Sequence, residues 1–213
     1  MKIFLITFSL SLFSVIGTSQ ITKELFKPSD VEVSWLGIDF SHVKLIGEFS
    51  QFSSLGGGSA VQIRDQYFPS WNHLMLNERE KYDIKGMLRK GDINYDIDML
   101  MSINSNAAIE NMETYNTPHY TLDNIKSFIT LYNTEDKEGI GILFIAESLN
   151  KSNIEAYFHF VAIDMKTKEI LIHQRIRGLP RGFGLRNYWA GSIFNIIKDI
   201  EKVHYRNWKH KFK

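Results

Sequence analysis

Apolar residues recur along this chain in two rhythms, and the change of rhythm marks the predicted elements. Val31 to Phe40 is rich in β-branched and aromatic residues, and Val43 to Phe49 continues in that style, so both predict strands. Pro69 suits the first turn of a helix running through Trp71, Leu74, Met75 and Glu78. Residues 80–89 predict a second helical piece that stops near Lys90 and Gly91. Tyr95 to Ile103 reads as an alternating strand, and Asn104 to Pro118 as a long polar loop. Thr121 offers an N-cap ahead of Leu122, Ile125, Phe128, Ile129 and Tyr132, which fall at helical spacing. Gly139 to Leu149 then carries Ile140, Ile142, Leu143, Phe144 and Ile145, the unbroken apolar run of a central buried strand. Ala156–Asp164 and Glu169–Arg177 flank Met165-Lys166-Thr167-Lys168 and predict a hairpin. Trp189, Ile193, Ile196, Ile197 and Ile200 form one stripe of a final helix.

The order β-α-β-α-β-β-α predicts a two-layer α/β fold, a mixed sheet of about four to five strands with helices on one face. Leu25 to Asp30, with Pro28, reads as an extended lead-in, and Ser53 to Ser59, with three consecutive glycines from Gly56, as a flexible loop. A phosphate cradle needs Lys and Ser/Thr after such glycines, and Ala60 and Val61 follow instead.

The first residues change the picture of where the protein works. Lys2, the apolar stretch Ile3–Ile16 and the small residues Gly17, Thr18 and Ser19 have the layout of a secretory signal peptide. We therefore expect residues 1–19 to be a leader and residues 20–213 to form one exported, periplasmic or outer-envelope α/β domain. The chain has no cysteine, which excludes a disulfide framework, a thiol nucleophile and lipid attachment at a cleavage-site cysteine. Charge is unevenly placed: from Leu171 to Lys213 ten Lys and Arg stand against Asp199 and Glu201, so an acidic body carries a basic, aromatic C-terminal helix end.

Candidate chemistry is sparse. The seven histidines are scattered, with no His-Glu-x-x-His pattern, so no metal or other cofactor is expected. His159 and His173 lie on facing hairpin strands and meet only if the register puts them on one face. Asp96 and Asp98 would share a face of the strand read over Tyr95–Ile103, the one conceivable carboxylate pair. Along the second hairpin strand, His173, Arg175 and Arg177 share the face opposite Ile170, Ile172 and Ile176. Beyond it, Gly178-Leu-Pro-Arg181-Gly182-Phe-Gly184-Leu-Arg186-Asn187 feeds the last helix. Backbone N–H groups at a helix start, with Arg181 and Arg186, suit an anion or an acidic partner, and the glycines equally suit a sharp reversal of the chain.

The hairpin segment Ala162-Ile-Asp-Met-Lys-Thr-Lys-Glu-Ile-Leu171 before a closing helix resembles the envelope fold group of the TolB amino-terminal domain, CsgG and LpoB. That resemblance implies an anticodon-binding-domain-like α/β fold, with Lys168 standing where glycine is usual. Trp35-Leu-Gly-Ile-Asp-Phe-Ser41 and Gly182-Phe-Gly-Leu-Arg-Asn-Tyr-Trp-Ala-Gly191 resemble a family of short exported bacterial proteins. It implies an envelope setting and carries no enzymatic role over to particular residues.

Two function classes follow, with a hydrolase a more distant third. The first is a non-catalytic envelope interaction module that contacts an envelope protein or anionic envelope surface, not nucleic acid, through His173, Arg175, Arg177 and the Gly-Arg loop. The second is a periplasmic binder of a small anion or glycan phosphate at Arg181, Gly182, Gly184, Arg186 and Asn187. The final helix is expected to supply much of the core, so Ile197→Asp should give degraded or insoluble protein. A soluble variant with an unchanged melting temperature would refute the helix placement.

Overall fold

The apolar run that starts at Gly139 is the spine of a mixed sheet. The computed structural model describes residues 20–28, 31–49, 58–135 and 137–212; the expected leader and the glycine loop as far as Gly57 lie outside the described residues. Strand β5 (Ile140–Asn150) is buried along its whole length. On one side it pairs antiparallel with β6 (Glu155–Asp164), which pairs antiparallel with the edge strand β7 (Ile170–Gly178). On the other side it pairs in parallel with two short strands in series, β1 (Val33–Asp39) and β2 (Lys44–Ile46). Two-residue strands, β3 (Asn94–Tyr95) and β4 (Glu113–Thr114), lengthen that side. The expected mixed α/β class is the class observed, and the hairpin turns as read, with Lys168 at φ 60°, the backbone region that favours glycine.

A helical run covers one face: α1 (Ala60–Gln62), capped by Ser59, a π-helical turn Ile63–Tyr67, and α2 (Phe68–Asn77). The short α3 (Ile84–Met87) follows. The closing helix α6 (Gly184–Asp199) continues through the π-helical Ile200–His204 into α7 (Tyr205–Lys211). Trp71, Trp189, Ile193, Ile196 and Ile197 meet Phe144, Phe158 and Phe160 from the sheet in the main core. Helices were expected on one face only, but a second, smaller core lies on the opposite face, where α5 (Leu122–Thr130) lays Ile125 and Ile129 over Leu143, Ile145, Val161 and Ile163. Helix α5 begins at the Thr121 N-cap that the sequence suggested, and Asn124 closes it into a capping box. Among the described residues no helix is long and apolar enough to cross a membrane.

The strand expected over Tyr95–Ile103 is a correction. Only Asn94 and Tyr95 pair, and α4 (Asp98–Ser105) occupies the rest. Met99, Leu100 and Met101 are apolar in succession, so the period was ambiguous; Leu100 and Asn104, four apart, both turn inward. Asp98 lies in the first helical turn, where a carboxylate suits the dipole, while Asp96 pairs with Lys137, so the two acids form no pair.

The first strand is broken where it crosses the sheet centre. Asp39 stands opposite Ile145 and Lys44 opposite Ser148, so residues 40–43 loop outward beside residues 146–147. β3 pairs with β1 only at Ser34 and Trp35, so further along that outer edge two buried asparagines take the place of a neighbouring strand. Asn72 of α2 accepts from Ile38 N–H at 2.7 Å and donates to Ile38 C=O at 3.0 Å. Asn104 of α4 donates to the same carbonyl at 2.8 Å and accepts from Phe40 N–H at 2.6 Å. Gly37, at φ 104°, leaves room for this, since a Cβ there would lie 2.6 Å from Asn72 Oδ1. Asn104→Ala should therefore cost about 1–3 kcal/mol per orphaned group in urea unfolding. The exposed Ser102→Ala should stay within about 0.5 kcal/mol.

Candidate functional site

On the face covered by α5, the break in the first strand opens a line of buried polar side chains. Asp39 is fully buried and accepts from Ser41 N–H and Oγ–H and from the Tyr132 hydroxyl at 2.6 Å. The Tyr120 hydroxyl donates to the carbonyl of His42, whose ring stacks on Phe128 at 3.7 Å. Tyr120 N–H donates to Glu147 Oε2 at 3.0 Å.

Glu147 is the centre of the line. It sits at a β-bulge in β5, where the register with β6 shifts between Ala146 and Ser148. A bulge re-aims one side chain, here into the interior. Arg175 of β7 reaches it with Nε at 3.1 Å from both oxygens and Nη2 at 2.5 Å from Oε1. The Arg175 guanidinium also lies 3.5 Å over the Tyr157 ring. His159 Nε2 lies 3.0 Å from Glu147 Oε2, and His159 Nδ1 lies 2.8 Å from His173 Nε2. The register left open by the sequence thus places both histidines on one face, in a diagonal across the hairpin.

Burial alone would push the Glu147 carboxyl up. Hydrogen bonds from His159, Arg175 and the Tyr120 backbone, with the Arg175 charge, outweigh it and hold the group at about 2. Burial, reinforced by the neighbouring His159, lowers His173 to about 4. Burial and the charges of Glu147 and Asp39 raise Tyr120 to about 12. Glu147, His159 and His173 stand in series, each touching the next, which is the geometry of a proton chain and not of converging metal ligands.

The free end of that chain opens on a groove. A hollow of about 930 Å3 runs between α5 and the start of β7, and His173 lines it. Its walls are apolar: Leu122 and Ile129 from α5, Ile170 and Leu171 from the edge strand, and Phe212. Lys126, exposed on α5, and Lys168, in the hairpin turn, also line it. Phe212 is stacked on Phe26 at 6.0 Å, so the described N- and C-terminal segments close one wall together.

The residues expected to form a contact site divide into two places. His173, Arg175 and Arg177 do share a face of β7, but Arg175 is turned inward onto Glu147 and Arg177 pairs with Glu155 at 2.7 Å. The Gly-Arg loop lies at the other end of β7. Arg186 donates to Ser70 Oγ at 2.9 Å and approaches Glu78 at 3.9 Å, while the Trp71 indole donates to the Arg186 carbonyl. Arg181 lies 5.2 Å over the Phe194 ring, and its backbone N–H donates to the Tyr188 carbonyl. Gly182 at φ 120° and Gly184 at φ 76° turn the chain into α6, and Asn187 packs against Gly182. Glu147, Tyr120 and the groove were missed. Their one legible signal was an acid inside the otherwise apolar run of β5.

No protein-family model matches this chain, and no curated protein matches it in sequence.

The folded protein binds fewer protons at His173 than the unfolded chain between pH 6.5, the ordinary value, and about 4. Stability should therefore be full above pH 6.5 and fall as pH drops through that window. Glu147, held at about 2 against an ordinary 4.5, should add a second loss between those values. His173→Gln should reduce the slope of the upper window of a melting-temperature profile, to which His42, also lowered by burial, contributes, and leave the lower one.

Proposed function

We propose that this chain is an exported, non-catalytic binding module of the cell envelope, and that it holds a single-chain amphiphile with an anionic head group in the groove beside β7. The observation that supports this reading is the groove, with its apolar walls of Leu122, Ile129, Ile170, Leu171 and Phe212 and its two lysines. Its volume of about 930 Å3 is that of a small-molecule site. Each alkyl CH2 buried there gains about 0.8 kcal/mol, while Lys168, and Lys126 shared with Asp123, outweigh Glu169 in favouring a negative head over a neutral one. The signal-like leader supports export, and the basic C-terminal end suits an anionic envelope surface. Anion binding at the Gly-Arg loop has less support, because Arg186 is already engaged by Ser70 and Glu78.

Titration calorimetry with 1-decanesulfonate below its micelle threshold tests the reading. Saturable binding to the natural chain is expected. Leu122 is exposed at the start of α5, where a carboxylate suits the helix dipole, so Leu122→Glu should fold normally. It should bind at least about tenfold more weakly, a loss of some 1.4 kcal/mol. Equal affinity in the variant would remove the groove from the account.

A further inference from the structure

We propose that His173 is the head-group residue of this groove and that it takes up a proton when an anionic amphiphile binds, with His159 and Glu147 holding the charge from behind. The inference rests on the groove reading and adds to it a residue, a proton and a direction with pH.

With His159 neutral, the hydrogen-bond chain sets the tautomers. Ionised Glu147 only accepts, so His159 Nε2 carries the proton that faces it. In the neutral pair His159 Nδ1 then accepts from His173 Nε2–H. That leaves a lone pair on His173 Nδ1 as the proton acceptor of a residue that lines the groove. A proton arriving at Nδ1 makes His173 an imidazolium, and its Nε2–H can pass to His159 Nδ1, beside Glu147. One proton enters from solvent, no covalent bond to carbon changes, and the added positive charge balances the anion bound.

The charges around His173 explain why the ligand triggers the uptake. Glu147 on β5 and Arg175 on β7 largely cancel each other. Tyr157 and His159 on β6 and Tyr120 ahead of α5 complete the inner surroundings, with Tyr120 neutral over the physiological range. Lys126 and Lys168 line the same groove and oppose a further positive charge, while Glu169, which also lines it, and Asp123, paired with Lys126, favour one. An anion seated beside His173 adds an opposite charge that favours the imidazolium. Opposite charges within ~4–6 Å favour the charged form of a titrating group by about 1–3 pKa units.

A sulfonate cannot supply its own proton, so 1-decanesulfonate isolates the protein's part. At pH 5.5, calorimetry in buffers of differing ionisation enthalpy should show uptake of between about 0.2 and about 0.9 proton per ligand. Affinity should rise as pH falls from 7 to 5, by up to about tenfold per unit. Binding of the neutral decyl maltoside should show neither effect. His173→Gln, confirmed folded by circular dichroism, should still bind decanesulfonate but with a flat pH profile. A shift of the His173 imidazole resonances toward the protonated form on adding decanesulfonate to the natural chain gives the same answer without a variant. Binding with no proton uptake, or a His173→Gln profile as steep as the natural one, overturns this proposal and leaves the groove standing. No binding of decanesulfonate at all overturns the groove and this proposal together.

Discussion

The structure turns on a mismatch of length between two parallel strands. Along β5 the chain advances through residues 146 and 147 while its neighbour spends residues 40 to 43 covering the same ground. A parallel ladder offers no internal repair for such an excess, because each strand's N–H and C=O groups need a partner at fixed spacing. The outer edge of β1, which β3 covers only at Ser34 and Trp35, is completed from outside the sheet. Asn72 and Asn104 reach in from two helices and replace the missing main-chain partners of Ile38 and Phe40. Those hydrogen bonds fix α2 and α4 against β1, and Trp71 of α2 then carries α6 through its bond to the Arg186 carbonyl. Those bonds tie three helices to the stretch of β1 that leads into the mismatch.

The same irregularity creates the polar interior of the opposite face. Asp39 ends β1 there, and Glu147 bulges from β5 at the level of the excess residues. A carboxylate this deep survives only with partners on several sides, and Glu147 has Arg175, His159 and the Tyr120 backbone. Each comes from a different element: the edge strand, the middle of the hairpin and the segment leading into α5. The acid thereby links the hairpin to the helix that roofs it, and the two histidines extend its influence to the surface.

Much of the frame was legible in the sequence because its elements are long and of one period. The run at Ile140–Ile145, the hairpin about Met165–Lys168 and the stripe from Trp189 to Ile200 each have one reading, and each is found. Met99, Leu100 and Met101 fit two periods, and there the strand reading failed. The candidate site was only half legible. The shared face of His173 and Arg175 follows from alternation, but what Arg175 meets depends on a bulge two strands away, which no local pattern announces. Asn72 and Asn104 look like ordinary helix residues until the strand edge they complete is visible. The groove belongs to no segment, since its walls come from residues as distant in sequence as Leu122, Leu171 and Phe212.

One wall of that groove has a consequence for the order of events in the life of the chain. Thr22 and Phe212 both border it, and Phe26 rests on Phe212 and Tyr205. The earliest and latest stretches of the domain thus meet at a single seam. A growing polypeptide has no such seam, however much of its sheet has already formed. The wall that Phe212 lends the groove forms only after the chain has been made through that residue, later than the sheet it rests beside.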